Sequence, residues 1–273
     1  MSYFETNIPA NHLASITEKD VLPFWSAFPG KILLDHIPLR KAMQVLDIGC
    51  GTGFPLFEIA MRLGTTARLT GIDIREDAIA QVIRKKEQHP LPQVGTVCCD
   101  AASLPFGEKE FDLITSNLGF GFFDAPQQVV RECYRVLKRP GRLCLTVHTE
   151  GYFREFFSIF ENMLKDLGEI ELLTLLKTQE QRRFTDETLR DLLEDNRFSV
   201  LKIIRERYHI RYMDGTALLN GLLASMQPNG LDFLPQEKRG NILKLLKQKL
   251  DEQADWDGEL KLSVPFLYAE AVK

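Results

Sequence analysis

The sequence predicts an α/β protein built on a doubly wound, mostly parallel sheet. Three observations carry that reading: an apolar run that ends in a glycine turn and re-emerges as a helix, a regular alternation of strands and helices after it, and the return of that rhythm near the end of the chain. The glycine turn lies in "VLDIGCGTGFP". The run Gln44 to Ile48, with Asp47 inside it, suits a buried parallel strand. Gly49, Gly51 and Gly53 follow in five residues, a spacing that implies a sharp turn or close approach to a ligand. Leu56, Ile59, Ala60 and Leu63 then recur at helical spacing up to Gly64.

The remaining elements follow in order. Ahead of the turn, the stretch from Thr17 reads as a capped helical arm with an aromatic pair at Phe24 and Trp25 and a helical run from Gly30. "ARLTGIDI" is a second strand ending near Asp73, and "REDAIAQVIRKKEQH" an amphipathic helix. "VGTVCCDA" and "FDLITSNL" are the third and fourth strands. "PQQVVRECYRVLKRPG" is a helix opened by Pro126 and stopped by Pro140-Gly141, and "GRLCLTVHT" a fifth strand. The rhythm resumes with a helix capped by Thr185, a long strand "FSVLKIIRERYHIRY", and a final strand "ELKLSVPFLYAEAVK". Residues 151–182 and 213–258 fall outside it and carry helical patterns, as insertions.

Bulk properties bound the function. The chain has 273 residues and a net charge of -4, long enough for a sizeable core and unsuited to a broad nucleic-acid footprint. No apolar run reaches the roughly 20 residues of a membrane span, and "MSYFETNIPANH" lacks the pattern of a secretion signal. The 5 cysteines are odd in number, two of them adjacent, which fits reduced thiols and a cytoplasmic setting. There is no zinc-type spacing, so no metal site is expected. The basic residues at 84 to 86 and 202 to 211 read as solvated faces.

The turn discriminates between cofactors. A dinucleotide fingerprint needs a third glycine where this chain has Phe54, followed by Pro55, which is poor for a pyrophosphate on the helix N-terminus. A cofactor with an amino-acid end and no phosphate suits it better. Asp73 stands where a carboxylate holds ribose hydroxyls, or where it caps the next helix. Asp100-Ala101 ends the third strand and Ser116-Asn117 the fourth; the alternatives are that Asp100 caps its turn and that Asn117 is a turn residue before Gly119.

Taken in order, these motifs resemble those of class I S-adenosylmethionine-dependent methyltransferases, of the branch that includes the ubiquinone/menaquinone-biosynthesis type. The resemblance runs from about Met43 to His148 and resumes over the last helix and two strands. It implies a seven-stranded sheet in the order 3-2-1-4-5-7-6 with the last strand antiparallel, here carrying helical lid insertions, and S-adenosyl-L-methionine as cofactor. It also implies that Asp47, Gly49, Gly51 and Gly53 face the methionine end and that Asp73 binds the ribose. Ile74 would lie against the adenine, Asp100 would meet its amino group beside the Ala101 backbone, and Ser116 or Asn117 would offer a carbonyl to the ammonium. The expected organisation is a helical arm and lid (1–42), a cofactor core (43–150), an insertion (151–182), core again (183–212), a second insertion (213–258) and the last core strand (259–273).

Methyl transfer to a small molecule needs mainly positioning, so no triad is required. The fourth-strand loop "SNLGFGFF" lacks the Asn/Asp-Pro-Pro-aromatic motif of DNA-adenine and glutamine-amide enzymes, and "DAASL" lacks the acidic pair of a catechol-type metal site. His148 and Tyr152, just past the fifth strand, are the candidate catalytic residues, with a structural hydrogen-bonding role for His148 as the alternative. A non-catalytic cofactor-binding protein and a nicotinamide oxidoreductase are the competing functions. The oligomeric state, monomer or homodimer, stays open.

Overall fold

In a computed structural model the described residues are 24–181, 183–224, 231 and 233–273. The expected arm before Phe24, with Thr17 as its cap, and the end of the "GTALLNGLLASM" segment lie outside them.

Among the described residues the sheet has seven strands in the order β3-β2-β1-β4-β5-β7-β6. They are β1 (Gln44–Ile48), β2 (Arg68–Asp73), β3 (Val94–Cys98), β4 (Phe111–Asn117), β5 (Leu137–His148), β6 (Ser199–Tyr212) and β7 (Leu260–Val272). β1 pairs in parallel with β2 and β4, with Asp47 beside Gly71 and Thr115. β7 runs antiparallel to β5, setting His148 opposite Phe266, and antiparallel to β6. The chain divides into two units, one comprising Leu22–Glu150, Arg182–Tyr208 and Pro265–Lys273, the other including Gly151–Gln181 and His209–Val264.

Side-chain alternation along the strands sorts the first unit's core into two layers. Val45, Leu69, Leu113, Cys144 and Tyr268 pack with α1 (Phe24–His36), α2 (Leu56–Leu63) and α3 (Glu76–Gln88). Leu46, Ile48, Ile114, Leu145 and Leu267 pack with α4 (Pro126–Val136) and with α7 (Asp186–Glu194). Phe111 and Leu113 are two residues apart yet belong to different layers, because the β4–β5 register shifts between them. That shift also corrects one expectation. The fourth helix stops at Val136 rather than at Pro140-Gly141, and β5 begins at Leu137, opposite Phe111. Residues 138–141 then bulge before pairing resumes at Arg142, so Pro140 need not donate to the ladder.

In the second unit α5 (Arg154–Asp166) buries Phe156, Phe157, Phe160, Met163 and Leu164. It packs on α6 (Ile170–Gln181) and on α9 (Gln236–Asp257), whose buried Ile242, Leu246, Leu250 and Ala254 recur every four residues. α8 (Gly215–Ala224) packs on α9 so closely that a Cβ at Gly215 would stand 2.8 Å from the Leu250 Cβ and the Lys247 carbonyl. Glu155 fastens the start of α5 to β7 by accepting from the Ser263 backbone N–H (2.9 Å) and hydroxyl (2.6 Å). No helix of the described residues is long and apolar enough to cross a membrane.

Candidate cofactor site at the ends of the parallel strands

Ligands of open α/β sheets bind beyond the carboxyl ends of the strands. β1 ends there in a turn whose three glycines all have left-handed φ: 68° at Gly49, 52° at Gly51 and 104° at Gly53. Other residues pay for such angles, so the turn explains its own composition. The three positions differ in surroundings. A Cβ at Gly53 would strike the Phe57 ring at 2.5 Å, whereas one at Gly51 would meet nothing within 4 Å. Gly53 is therefore needed for packing, and Gly51 borders open space.

Asp73, at the end of β2, leans toward that opening. Its Oδ2 accepts the Gly51 N–H at 2.9 Å and its Oδ1 accepts the Arg75 N–H at 3.0 Å. The carboxylate thus fixes the glycine turn and the entry to α3 together, and each oxygen keeps a lone pair for another donor. Ile74 beside it is 68% exposed, unusual for a large aliphatic residue. β3 delivers Asp100 nearby, since the Cys99 N–H donates to the Asp73 carbonyl. Asp100 Oδ1 accepts the Ala102 N–H at 2.8 Å, the turn-capping role, while Ala101 is buried.

Asp47 lies beneath the turn and is fully buried. Its Oδ1 accepts the Thr115 hydroxyl at 2.7 Å, and its Oδ2 has no hydrogen-bond partner among the described residues. Burial raises its pKa to about 7, the Thr115 bond opposing and the Asp73 charge adding to the rise. A buried, half-satisfied carboxyl of this kind is suited to a nearby positive charge.

The end of β4 is held by a hydrogen-bond network. Ser116 Oγ donates to the Ile48 carbonyl (2.8 Å), and Asn117 Oδ1 accepts the Thr146 hydroxyl (2.7 Å). Asn117 Nδ2 donates to the Ser26 carbonyl of α1 at 3.0 Å. Both side chains are committed to the scaffold. The next residue, Leu118, is left-handed with φ of 66°.

Sequence reasoning missed three contributors. Thr115 became visible only with the β1–β4 register. Gly30 lies in α1 where a Cβ would run into the Phe54 ring and Asn117, so α1 backs the glycine turn directly. Lys85, expected on a solvated face, donates to the Thr52 carbonyl within the turn at 2.8 Å. For Lys85 the available signal was its position on the inner side of α3, three residues after Val82.

His148 ends β5 and is buried, and burial, aided by the Arg183 charge, holds its pKa well below the ordinary histidine value. Its imidazole is neutral at physiological pH and a weak base. Tyr152 belongs to the other unit, where it is half-buried and its ring stacks on Phe153 at 4.0 Å.

The donor set fits S-adenosylmethionine, whose sulfonium and ammonium are positive and which brings no pyrophosphate. Phe54, whose ring reaches the Gly30 position of α1, occupies the place a dinucleotide turn gives to glycine.

Residues 46–145 match a family described as methyltransferase domain. The demethylmenaquinone methyltransferase of Staphylococcus aureus (strain MRSA252) is 31% identical over 136 residues, covering 48% of this chain and 54% of that protein. The chain thus spans about half the length of the curated relatives it matches first. Among solved structures, the YcgJ protein from Bacillus subtilis superposes with a TM-score of 0.62 at 19% identity, over 90% of this chain and 98% of that one. Haemonchus contortus phosphoethanolamine N-methyltransferase 2, in complex with S-adenosyl-L-methionine, gives 0.57 at 18% identity over 96% and 57%. These likenesses show the shared fold.

Proposed function

We propose that this chain, whose residues 46–145 match the methyltransferase-domain family, is a class I S-adenosylmethionine-dependent methyltransferase that methylates a small-molecule acceptor. The observation that carries the reading is the open space over Gly51 beside Asp73, which is already oriented by the Gly51 N–H. In this reading Asp73 accepts the ribose hydroxyls, Ile74 covers one face of the adenine and Asp100 meets its amino group. Asp47 offsets the cofactor's positive charge, with Gly49, Gly51 and Gly53 at its methionine end. The Ser116 or Asn117 carbonyl receives the ammonium.

Bound there, S-adenosylmethionine supplies an electrophilic methyl group on a sulfonium. The chain's own contribution is to orient the acceptor in line and to keep water out. His148, held neutral, donates or accepts a hydrogen bond to the acceptor better than it removes a proton. Tyr152, the other candidate from the sequence pattern, lies in the helical unit. The chain enters that unit just after β5, at Gly151, and again within β6, at His209, and we assign it the choice of acceptor. The relatives' names favour an acceptor of the demethylmenaquinone type.

Calorimetry with S-adenosylmethionine and NAD, followed by turnover with a demethylmenaquinone analogue, tests the reading. Micromolar binding of the first, about 8 kcal/mol, no binding of the second, and release of S-adenosylhomocysteine are expected. Binding without turnover on any acceptor would leave a cofactor-binding protein instead.

A further inference from the structure

A cavity of about 580 Å³ opens at the opposite end of the first unit's sheet, where β4 and β5 begin. Four cations line it: Arg131 and Arg135 of α4, Arg197 just past α7, and Lys273 after β7. Two of them are built into the wall. Arg135 bonds Glu132 and the Phe106 and Leu104 carbonyls at 2.7 and 3.0 Å. Lys273 donates to the Leu137 carbonyl at 2.8 Å and lies 4.6 Å over the Tyr134 ring. The other two are uncommitted. Arg131 Nε bonds only the neutral Gln128 amide (2.9 Å), and among the described residues neither Arg131 nor Arg197 has a carboxylate partner. Glu108 and Asp195 also line the cavity and leave the cations in excess.

Both α4 and α7 end at this face, and their helix dipoles favour cations there. That field does not explain the backbone of Arg197. The residue closes α7, with the Arg197 N–H on the Glu194 carbonyl (2.9 Å) and the Phe198 N–H on the Leu193 carbonyl (3.1 Å). Its φ is 71°, in the position where helices ordinarily place glycine. Buried Asn196 locks the turn through the Gln127 side chain (2.6 Å) and the Leu192 carbonyl (2.8 Å). An arginine therefore occupies a strained position that glycine would fill without cost, and its side chain lines the cavity. Strain held by its surroundings points to a use for the side chain. Burial is the main cause that depresses the Lys273 ammonium, with Tyr134 and Glu108 opposing and the Arg139 and Lys109 charges adding.

We infer that this cavity is a second ligand site, remote from the methyl-transfer end, which binds a compact dianion of the phosphate-ester class between Arg131 and Arg197. Guanidinium pairs match phosphate oxygens in bidentate fashion. The size leaves room for a small organic group beside Tyr134.

Thermal unfolding of the full chain tests this, with inorganic phosphate, pyrophosphate and succinate each compared with chloride at matched ionic strength. Millimolar phosphate or pyrophosphate should raise the midpoint by roughly 5 °C more than chloride, and succinate by less. Arg197→Gly should melt no lower than the wild type without the anion, because the strain is relieved, and should lose the anion's shift. Arg131→Gln should lose it too, as an independent check on the same cavity. The response of both variants to S-adenosylhomocysteine should be unchanged. No shift beyond chloride, an equal shift with succinate, a full shift retained in Arg197→Gly, or loss of the S-adenosylhomocysteine response together with the phosphate response would each overturn the site.

Discussion

Two aspartates divide the work of the site at the residue scale. Asp73 is a scaffold residue by its backbone contacts and a proposed ribose ligand by its place at the end of β2, and substitution separates these. Asp73→Ala should weaken S-adenosylmethionine binding by about 1.5 to 3 kcal/mol, from lost charge-assisted hydrogen bonds. Asp73→Asn, which keeps an acceptor for the Gly51 N–H, should recover fold stability more fully than affinity. Calorimetry and melting of the two variants read these separately, and wild-type affinity in a folded Asp73→Ala would reduce the residue to a cap. Asp47 carries a different signature. Its pKa is 3.8 in ordinary surroundings and about 7 here, so the folded chain keeps a proton that the unfolded chain releases. Rising pH between those values therefore destabilises the fold, and above about 7 the contribution is constant. Asp47→Asn should flatten that slope in pH-dependent melting. A cationic cofactor favours the carboxylate, so binding of S-adenosylmethionine near pH 6.5 (about half a unit below the Asp47 value) should release a proton, seen as a heat that depends on the buffer. Identical binding heats in buffers of different ionisation enthalpy would exclude Asp47 from the charge balance.

At the scale of elements, α7 shows how local chemistry and tertiary role combine. Thr185 accepts the Thr188 N–H at 3.0 Å, and the Thr188 hydroxyl accepts the Thr185 N–H at 2.9 Å, a reciprocal cap. The helix then buries Leu189, Leu192 and Leu193 against the layer that contains α4. Thr185→Ala should cost about 1 kcal/mol of stability, measurable by denaturant unfolding, without affecting cofactor binding at the other end of the sheet. The cap could be read from "TDET" alone because capping is a contact between near neighbours. The end of α4 could not. The sequence put the stop at Pro140-Gly141, but pairing of Leu137 with Phe111 draws the chain into β5 from Leu137, and a non-local partner leaves no local mark.

For the whole molecule, the prediction concerns the division of labour between the two units. Within its own unit α5 packs on α6 and α9, and its Phe160 stacks with Phe233 at 6.2 Å. Replacing residues 213–258 by a short turn should abolish acceptor turnover while cofactor affinity, measured by calorimetry, changes little. Retained turnover in a protein that has changed from dimer to monomer would instead assign those helices to a subunit interface.

The sequence by itself determined the strand–helix rhythm, the glycine turn, the ordered carboxylates at the strand ends and the family resemblance. All of these rest on periodicity or on spacing within a few residues, where physical constraint and sequence order coincide. Asp47 could be seen as an acid in an apolar strand, but its half-satisfied state depends on Thr115, 68 positions away and adjacent only through the sheet. The backing of the turn by Gly30, the reach of Lys85 to Thr52 and the gathering of Arg131, Arg197 and Lys273 around one cavity are of the same kind. They were decided by tertiary structure, because close packing and sheet register bring together residues whose separation along the chain carries no pattern.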